Sequence, residues 1–190
     1  MRNKIIAVTG GIGSGKSTVI ALIEKYGYPV ISADETYKKL LEDPEFVKGV
    51  HDSVGLKSDS PVLLREEVSK IVFNNADKLN LLNAFTHGKI MQTMFDKSLS
   101  YPVVFHEVPL LFESGYQDKY DCVLIVKRPD DLRVEGLKKR GLSEEDIKKR
   151  IENQIDYEKI EGFEHTVIIN DKSLEELSVK LKAVLDEILD

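Results

Sequence analysis

The chain of 190 residues carries a net charge of −6, with 42% hydrophobic and 32% charged residues. One domain of this length buries enough apolar surface to fold without disulfides, and the single Cys122 cannot form an internal one. The acidic balance argues against nucleic acid as a partner. The sequence has neither an apolar run of about 18 residues nor a signal-peptide core, so we expect no membrane span and a cytoplasmic location.

The first predicted strand, Lys4–Thr9, runs directly into a glycine-rich loop and then into a predicted helix. Residues 10–18 fit the phosphate-loop pattern G-x-x-x-x-G-K-S/T in its strand–loop–helix setting. Glycines let the backbone fold around an anion with its N–H groups pointing inward, and the helix adds the positive end of its dipole. The loop therefore predicts a nucleoside triphosphate site, with Lys16 at the β- and γ-phosphates and the Ser17 hydroxyl on Mg²⁺.

The predicted nucleotide contacts within this loop are Gly11, Ile12, Gly13, Ser14, Gly15, Lys16, Ser17 and Thr18. The dinucleotide pattern G-x-G-x-x-G does not fit, because Lys16 stands where its last glycine would be. A plain glycine-rich turn with a solvated lysine is the alternative interpretation.

Asp34 follows the second predicted strand, Pro29–Ser32, at its carboxyl end. Ligands of open parallel sheets bind outside those ends, so Asp34 is a candidate to face the γ-phosphate and act on an incoming hydroxyl, as base or metal-linked group. The pattern equally allows Asp34 to be only the N-cap of a helix beginning at Glu35.

Residues 35–102 form an interval too long for a simple crossover. Its predicted helices are Glu35–Leu41, Pro44–Val54, Leu63–Asn74 and Ala76–Ser98. An insertion of this size in a phosphate-loop fold typically builds a lid or an acceptor-binding subdomain, so we predict one domain, 1–190, with a helical insertion of one of these two kinds at 35–102.

The third predicted strand, Val103–Val108, ends in a segment that carries two acids and an apolar stretch. Glu107 and Glu113 are candidates to orient substrate or magnesium, with Pro109–Phe112 as an apolar wall. A plain strand end with a hydrophobic turn explains the same residues.

The last two predicted strands are Cys122–Lys127 and Thr166–Asn170, and helices are predicted after each. Ser143 with Asp146, and Ser173 with Glu176, have the spacing of capping boxes. The alternation predicts an α/β fold of the phosphate-loop NTPase type, a parallel five-stranded sheet with helices on both faces. The basic turn that begins at Lys138 is a candidate to close over phosphates, and the alternative is a solvated helix face in which most of the lysines are spectators.

A series of short motifs extends over nearly the whole chain. In chain order these are Thr9 to Thr18, Ala33-Asp34, Arg65 with Val72-Phe73, Leu82-Asn83-Ala84 with His87, Val108 to Glu113, Gly141-Leu142-Ser143, Arg150-Ile151 with Gln154, and Val167 to Asn170. Together they resemble the dephospho-coenzyme A kinase family. The resemblance implies transfer of the ATP γ-phosphate to the ribose 3′-hydroxyl of dephospho-coenzyme A with Mg²⁺. It also implies a nucleotide core, a helical coenzyme A subdomain and a lid at about 138–156.

The resemblance also assigns roles. Asp34 becomes the base, Lys16 the phosphate clamp, and Asn170 a neighbour of the adenine. The implied acceptor-side residues are Arg65, His87, Pro109, Leu110 and Glu113. The catalytic lid residue falls on Lys139 or Arg140, and we favour Arg140 because a guanidinium can bridge phosphate oxygens bidentately.

Three positions depart from the family pattern. Ser32 stands where an aspartate is usual, which removes a paired-carboxylate role, and Gly88 replaces a proline after His87. Glu107 replaces an aspartate, which is a mild change. The rival functions are a nucleoside monophosphate kinase, a nucleotide-dependent switch and a structural domain with a relict loop. A monomer or small homo-oligomer is expected.

Overall fold

The computed structural model describes residues 3–73, 75–152 and 164–189. The chain divides into two compact units. The first, here called the sheet unit, comprises Met1–Val30 and Tyr101–Asp190, and the second, the helical unit, comprises Ile31–Ser100.

A five-stranded parallel sheet organises the fold. Its strands are β1 (Lys4–Thr9), β2 (Val30–Ser32), β3 (Val103–Glu107), β4 (Cys122–Lys127) and β5 (His165–Ile169). The spatial order is β2-β3-β1-β4-β5, so the strand that enters the glycine-rich loop lies in the middle of the sheet. The predicted fold class is confirmed, and each observed strand end lies within one residue of its predicted end.

The described residues contain eight α-helices and one short 3₁₀-helix, Gln117–Lys119. The α-helices are α1 (Lys16–Lys25), α2 (Ala33–Leu40), α3 (Pro44–Ser53), α4 (Arg65–Val72), α5 (Ala76–Ser98), α6 (Asp130–Lys139), α7 (Glu144–Glu152) and α8 (Leu174–Leu189). None of the helices in these ranges is both long and apolar enough to cross a membrane.

The core of the sheet unit joins one face of the sheet to α1 and α8. Alternate residues of β1, Ile6 and Val8, are fully buried there with Ile23 of α1 and Leu181 of α8. The apolar face of α8 is therefore packed into this core. A rigid sheet below the glycine-rich loop follows from this packing.

The predicted capping box at Ser173 is confirmed with both of its hydrogen bonds, and the one at Ser143 is confirmed only for the bond from the Asp146 N–H. The Asp146 backbone N–H donates to Ser143 Oγ at 3.1 Å, and Ser143 Oγ lies 2.7 Å from the Asp146 carboxylate. At the start of α8, the Glu176 N–H donates to Ser173 Oγ at 3.3 Å, and the Ser173 N–H donates to the Glu176 carboxylate at 3.4 Å. These side chains satisfy N–H groups that a helix start leaves without partners.

The helical unit has a small core of its own. Phe46, on α3, packs edge-on against Tyr37 and stacks on Phe85 of α5, with ring centroids 5.6 Å apart in the stacked pair. Gly49 makes this close approach possible, since a β-carbon there would lie 2.3 Å from Phe85 Cζ. α3 begins as its sequence predicts, with the Asp43 side chain capping the Glu45 N–H and Pro44 at the first helical position.

Candidate nucleotide and phosphate-transfer site

The glycine-rich loop connects the end of β1 to α1 and leaves the start of that helix open. Gly15 is the N-cap residue, at φ +88°, and no side chain caps the helix. The first turn of α1 also contains no acidic residue. Uncapped N–H groups and the positive end of the helix dipole form an anion site at this point.

The loop lies in close contact with the carboxyl ends of β4 and β5. A β-carbon on Gly10 would be 2.3 Å from the Val126 carbonyl oxygen, and one on Gly15 would be 2.0 Å from Asn170 Nδ2. Only glycine fits at these two positions without moving the neighbours. These two glycines of the predicted phosphate loop are therefore also required by the packing of the loop against the ends of β4 and β5.

Lys16 is held at the loop by an acid of the neighbouring strand. Its Nζ donates to Glu107 Oε1 at 2.7 Å, and both side chains are largely shielded from solvent, 16% and 20% exposed. Glu107 reaches this place because it ends β3, opposite Val8 in the register of β1 and β3. Glu107, a predicted candidate for orienting substrate or magnesium, here pairs with Lys16.

Asn170 stabilises the glycine-rich loop by a side-chain hydrogen bond. Its side chain Nδ2 donates to the Ser14 carbonyl oxygen at 3.0 Å, and its backbone N–H donates to the Lys127 carbonyl at 2.8 Å. Asn170 is buried at the end of β5. Sequence reasoning did not reveal this contact with the loop, and the predicted adenine contact of Asn170 stays a prediction.

A second residue that the sequence did not single out also contacts the loop. Arg133, in α6, donates from Nε to the Ile12 carbonyl at 3.1 Å. The only sequence signal was a basic residue in the helix after β4. One such residue cannot be distinguished from a solvated helix face.

The oxygen donors beside the loop suit a small, hard cation. Ser17 and Thr18 are exposed hydroxyl residues in the first turn of α1. Mg²⁺ in phosphate-transfer sites takes few protein ligands and completes its shell with waters and substrate phosphate oxygens. In the described ranges, no group of three or more His, Cys, Asp or Glu residues could hold a metal ion. These residues fit a magnesium ion bound chiefly by nucleotide phosphates, with Ser17 as its protein ligand.

The segment after β3 runs beside the end of β1. The Thr9 hydroxyl donates to the Pro109 carbonyl oxygen at 3.4 Å. Leu110 is 52% exposed while Leu111 is fully buried, and Glu113 is exposed. Leu111 therefore anchors the segment and leaves Leu110 and Glu113 accessible to a ligand.

The basic turn after α6 presents one of its two candidate lid residues. Lys139 is engaged by Glu135 at 2.6 Å, one helical turn earlier. Arg140 is the exposed C-cap residue of α6, and its guanidinium has no ion-pair partner in the part of the chain that the structure describes. The choice of Arg140 over Lys139 as the lid residue stays a prediction. Part of the predicted lid, 153–156, and with it Gln154, lies outside the described residues.

The structure contradicts the interpretation of Asp34 as the N-cap of a helix that begins at Glu35. The helix α2 begins one residue before Asp34, and its N-cap residue is Ser32, in an extended conformation. Asp34 is the second residue of the helix and is exposed. The N-cap interpretation is wrong, because Ser32 rather than Asp34 leads into the helix.

Arg65 and His87 lie, like Asp34, in the helical unit. Arg65 is the first residue of α4 and is exposed. His87 lies in α5, which continues through Gly88 as one helix, and partial burial lowers the pKa of His87 below its usual value. Their predicted acceptor-side roles stay predictions.

Comparison with known proteins extends over nearly the full chain. Residues 4–176 match the family model described as Dephospho-CoA kinase. A curated relative of that name from Chlorobaculum tepidum is 34% identical over 197 residues, covering 97% of this chain and 95% of the relative. Two solved structures each cover 98% of this chain and are covered to 98% themselves. One, from Thermus thermophilus, is 35% identical with a TM-score of 0.79, and the other, a dephospho-CoA kinase from Campylobacter jejuni, is 29% identical with a TM-score of 0.68.

Proposed function

Since the chain belongs to the dephospho-CoA kinase family, we propose that it transfers the γ-phosphate of ATP to the ribose 3′-hydroxyl of dephospho-CoA, giving CoA and ADP. The protein is a kinase with a phosphate-loop fold. The observation that carries the proposal is the open N-terminus of α1 behind Gly15, with Lys16 held beside it by Glu107. This arrangement provides N–H donors and one ammonium where the β- and γ-phosphates of ATP would bind.

The phosphate side of the reaction needs positioning and charge rather than covalent chemistry. In phosphoryl transfer the attacking and leaving oxygens are roughly in line, and charge is spread over the transferred group. The loop N–H groups and Lys16 stabilise that charge without reorganising during the step. Arg140 adds a guanidinium that can bridge two phosphate oxygens. When bound, Mg²⁺ supplies further neutralisation of the phosphates, with the Ser17 hydroxyl among its ligands.

On the acceptor side, Asp34 takes the proton of the 3′-hydroxyl. The bond from that oxygen to the γ-phosphorus forms as the bond from phosphorus to the β–γ bridging oxygen breaks, and ADP leaves. Asn170 contacts the adenine of ATP. The residues that bind dephospho-CoA are Asp34, Arg65, His87, Pro109, Leu110 and Glu113.

We further propose a cytoplasmic location and a monomer or small homo-oligomer for the protein. The acidic, disulfide-free sequence supports the first point. Cell fractionation checks the location, and analytical ultracentrifugation measures the mass of the particle.

Phosphate transfer from Mg·ATP to a panel of acceptors tests the function. The panel contains dephospho-CoA, AMP, CMP, dTMP and water alone. We expect rapid turnover with dephospho-CoA only and a product that carries the new phosphate at the 3′ position. Transfer to a monophosphate, or hydrolysis that ignores the acceptor, contradicts the proposal and leaves only nucleotide binding by the loop.

A further inference from the structure

The helix α6 packs against the outer side of the phosphate loop. A β-carbon on Gly13, which has φ +75°, would lie 3.1 Å from Leu137 Cγ and 3.4 Å from the Arg133 carbonyl oxygen. Arg133 and Leu137 are four residues apart and so share one face of α6. This face is where the helix meets the loop.

Arg133 makes a directed, charged contact within this interface. Its Nε donates to the Ile12 carbonyl at 3.1 Å, and its Nη1 donates to Asp130 Oδ1 at 2.8 Å. The Arg133 side chain is 15% exposed, whereas that of Asp130 is 77% exposed. A guanidinium is a charged donor, so its hydrogen bond to the loop carbonyl is charge-assisted.

The direction of this hydrogen bond fixes a whole peptide unit. In a planar trans peptide the carbonyl and the following N–H point in opposite directions. With the Ile12 carbonyl held toward α6, the Gly13 N–H points away from α6, toward the face of the loop where a phosphate binds. Because residue 13 is a glycine, the Ile12–Gly13 peptide can rotate easily, so the hydrogen bond from Arg133 restricts its orientation.

We propose that Arg133 is a positioning residue of the nucleotide site: it holds the Ile12–Gly13 peptide so that the Gly13 N–H is preorganised to donate to a phosphate of ATP. The proposal deepens the proposed function and rests on it, since the loop must be the ATP site. Nothing in it depends on the identity of the acceptor.

Substitution of Arg133 separates this role from a merely structural one. Arg133→Met removes the donor and keeps most of the aliphatic stem, and Arg133→Lys keeps a charged donor. Isothermal titration with Mg·ATP, without any acceptor, is expected to give about tenfold weaker binding for Arg133→Met and a loss of no more than about threefold for Arg133→Lys. Steady-state kinetics should show the KM for ATP raised and the KM for dephospho-CoA unchanged.

Arg128→Met is the control, because it removes one arginine charge two residues before the start of α6, whereas Arg133 lies within that helix. In the described ranges Arg128 Nε has no hydrogen-bond partner. We expect its ATP affinity to stay within about twofold of wild type. If Arg128→Met weakens ATP binding as much as Arg133→Met, net charge explains the effect and the proposal fails.

A nuclear magnetic resonance measurement tests the peptide itself. In wild-type protein labelled with ¹⁵N, the Gly13 amide proton should shift downfield on addition of Mg·ATP, and in Arg133→Lys the shift should be retained. A Gly13 amide that does not respond in wild type, or ATP affinity unchanged in Arg133→Met, overturns the proposal. If only acceptor transfer fails while these results hold, the proposed acceptor is wrong and the role of Arg133 stands.

Discussion

The sheet unit and the helical unit hold their candidate residues in different ways. In the sheet unit, Lys16 is paired with Glu107 and the loop is hydrogen-bonded from outside by Asn170 and Arg133. In the helical unit, by contrast, Asp34 is exposed on a helix surface with no hydrogen bond or ion pair to its side chain among the described residues. The described residues hold Lys16 and the loop in place, whereas they leave the Asp34 carboxylate without a polar partner, and its predicted acceptor-side role stays a prediction.

The largest expected effect is in the sheet unit. Lys16→Ala should lower kcat about 1000-fold, because it removes a charge that stabilises the transferred phosphate. Steady-state kinetics measures the loss, and a melting curve verifies that the variant is folded. Lys25→Ala, at the exposed other end of the same helix, is the control and should retain full turnover. Turnover of Lys16→Ala within about twofold of wild type would remove Lys16 from the site.

The second-largest effect is expected at Asp34, and it tests whether this residue of the helical unit affects turnover without affecting ATP binding. Asp34→Asn should lower kcat about 100-fold while the KM for ATP stays near wild type, since the substitution removes a base and no nucleotide contact. Glu35→Gln is the matched control: it is the next residue of α2 and its carboxylate already pairs with Lys38 at 2.6 Å. A lower melting temperature with unchanged kcat would show that Asp34 is only structural.

A pH experiment compares a fully buried histidine of the sheet unit with a half-buried histidine of the helical unit. His106 is fully buried in β3, its Nδ1 lies 3.1 Å from the Tyr120 hydroxyl, and burial lowers its pKa to about 4. As the pH falls, the unfolded chain, in which a histidine has a pKa of about 6.5, takes up a proton on His106 before the folded chain does. The contribution of neutral His106 to the free energy of unfolding is therefore complete above about pH 6.5. It is lost as the pH falls toward 4, about 2 kcal/mol of it by about pH 5.

Urea unfolding at about pH 7.5 and about pH 5 measures this loss. The difference between the two pH values should shrink in His106→Gln and shrink less in His87→Gln, because His87 is only half-buried. An equal pH dependence in wild type and His106→Gln would contradict the assignment to His106.

The smallest effect probes the core of the helical unit. Gly49→Ala places a methyl group 2.3 Å from Phe85 Cζ, so we expect a net destabilisation of about 1–2 kcal/mol and no change in ATP affinity. Gly136→Ala is the control in α6. There the nearest atom is Arg128 Nη1 at 3.8 Å, so alanine should stabilise its helix by up to about 1 kcal/mol. Chemical denaturation measures both, and a neutral Gly49→Ala would show a loosely packed core.

Local patterns predicted the fold well. The apolar runs gave the five strands, and the Ser143 and Ser173 capping boxes placed the starts of α7 and α8 because the signals lie within four residues of each other. The start of α2 was misplaced because Ser32 and Asp34 are both good N-cap residues, and the pattern cannot choose between them.

The sequence did not predict pairs of side chains that are far apart in the chain and meet only in the folded structure. Lys16 and Glu107 are 91 residues apart, and only the register of β1 and β3 brings them together. Arg133 likewise looks like any basic helix residue until α6 is seen against Gly13. The phosphate loop was predictable because its signal is contiguous, while its supports depend on tertiary placement.

The hydrogen bond from Asn170 to Ser14 joins residues 156 apart in the chain, which matters during synthesis. The glycine-rich loop is synthesised well before Asn170, which contacts it from the end of β5. At ordinary elongation rates the interval is roughly 10–30 seconds, during which the nascent chain carries a glycine-rich motif without its finished binding site. A product stalled before β5 should therefore retain ATP less well than the finished protein.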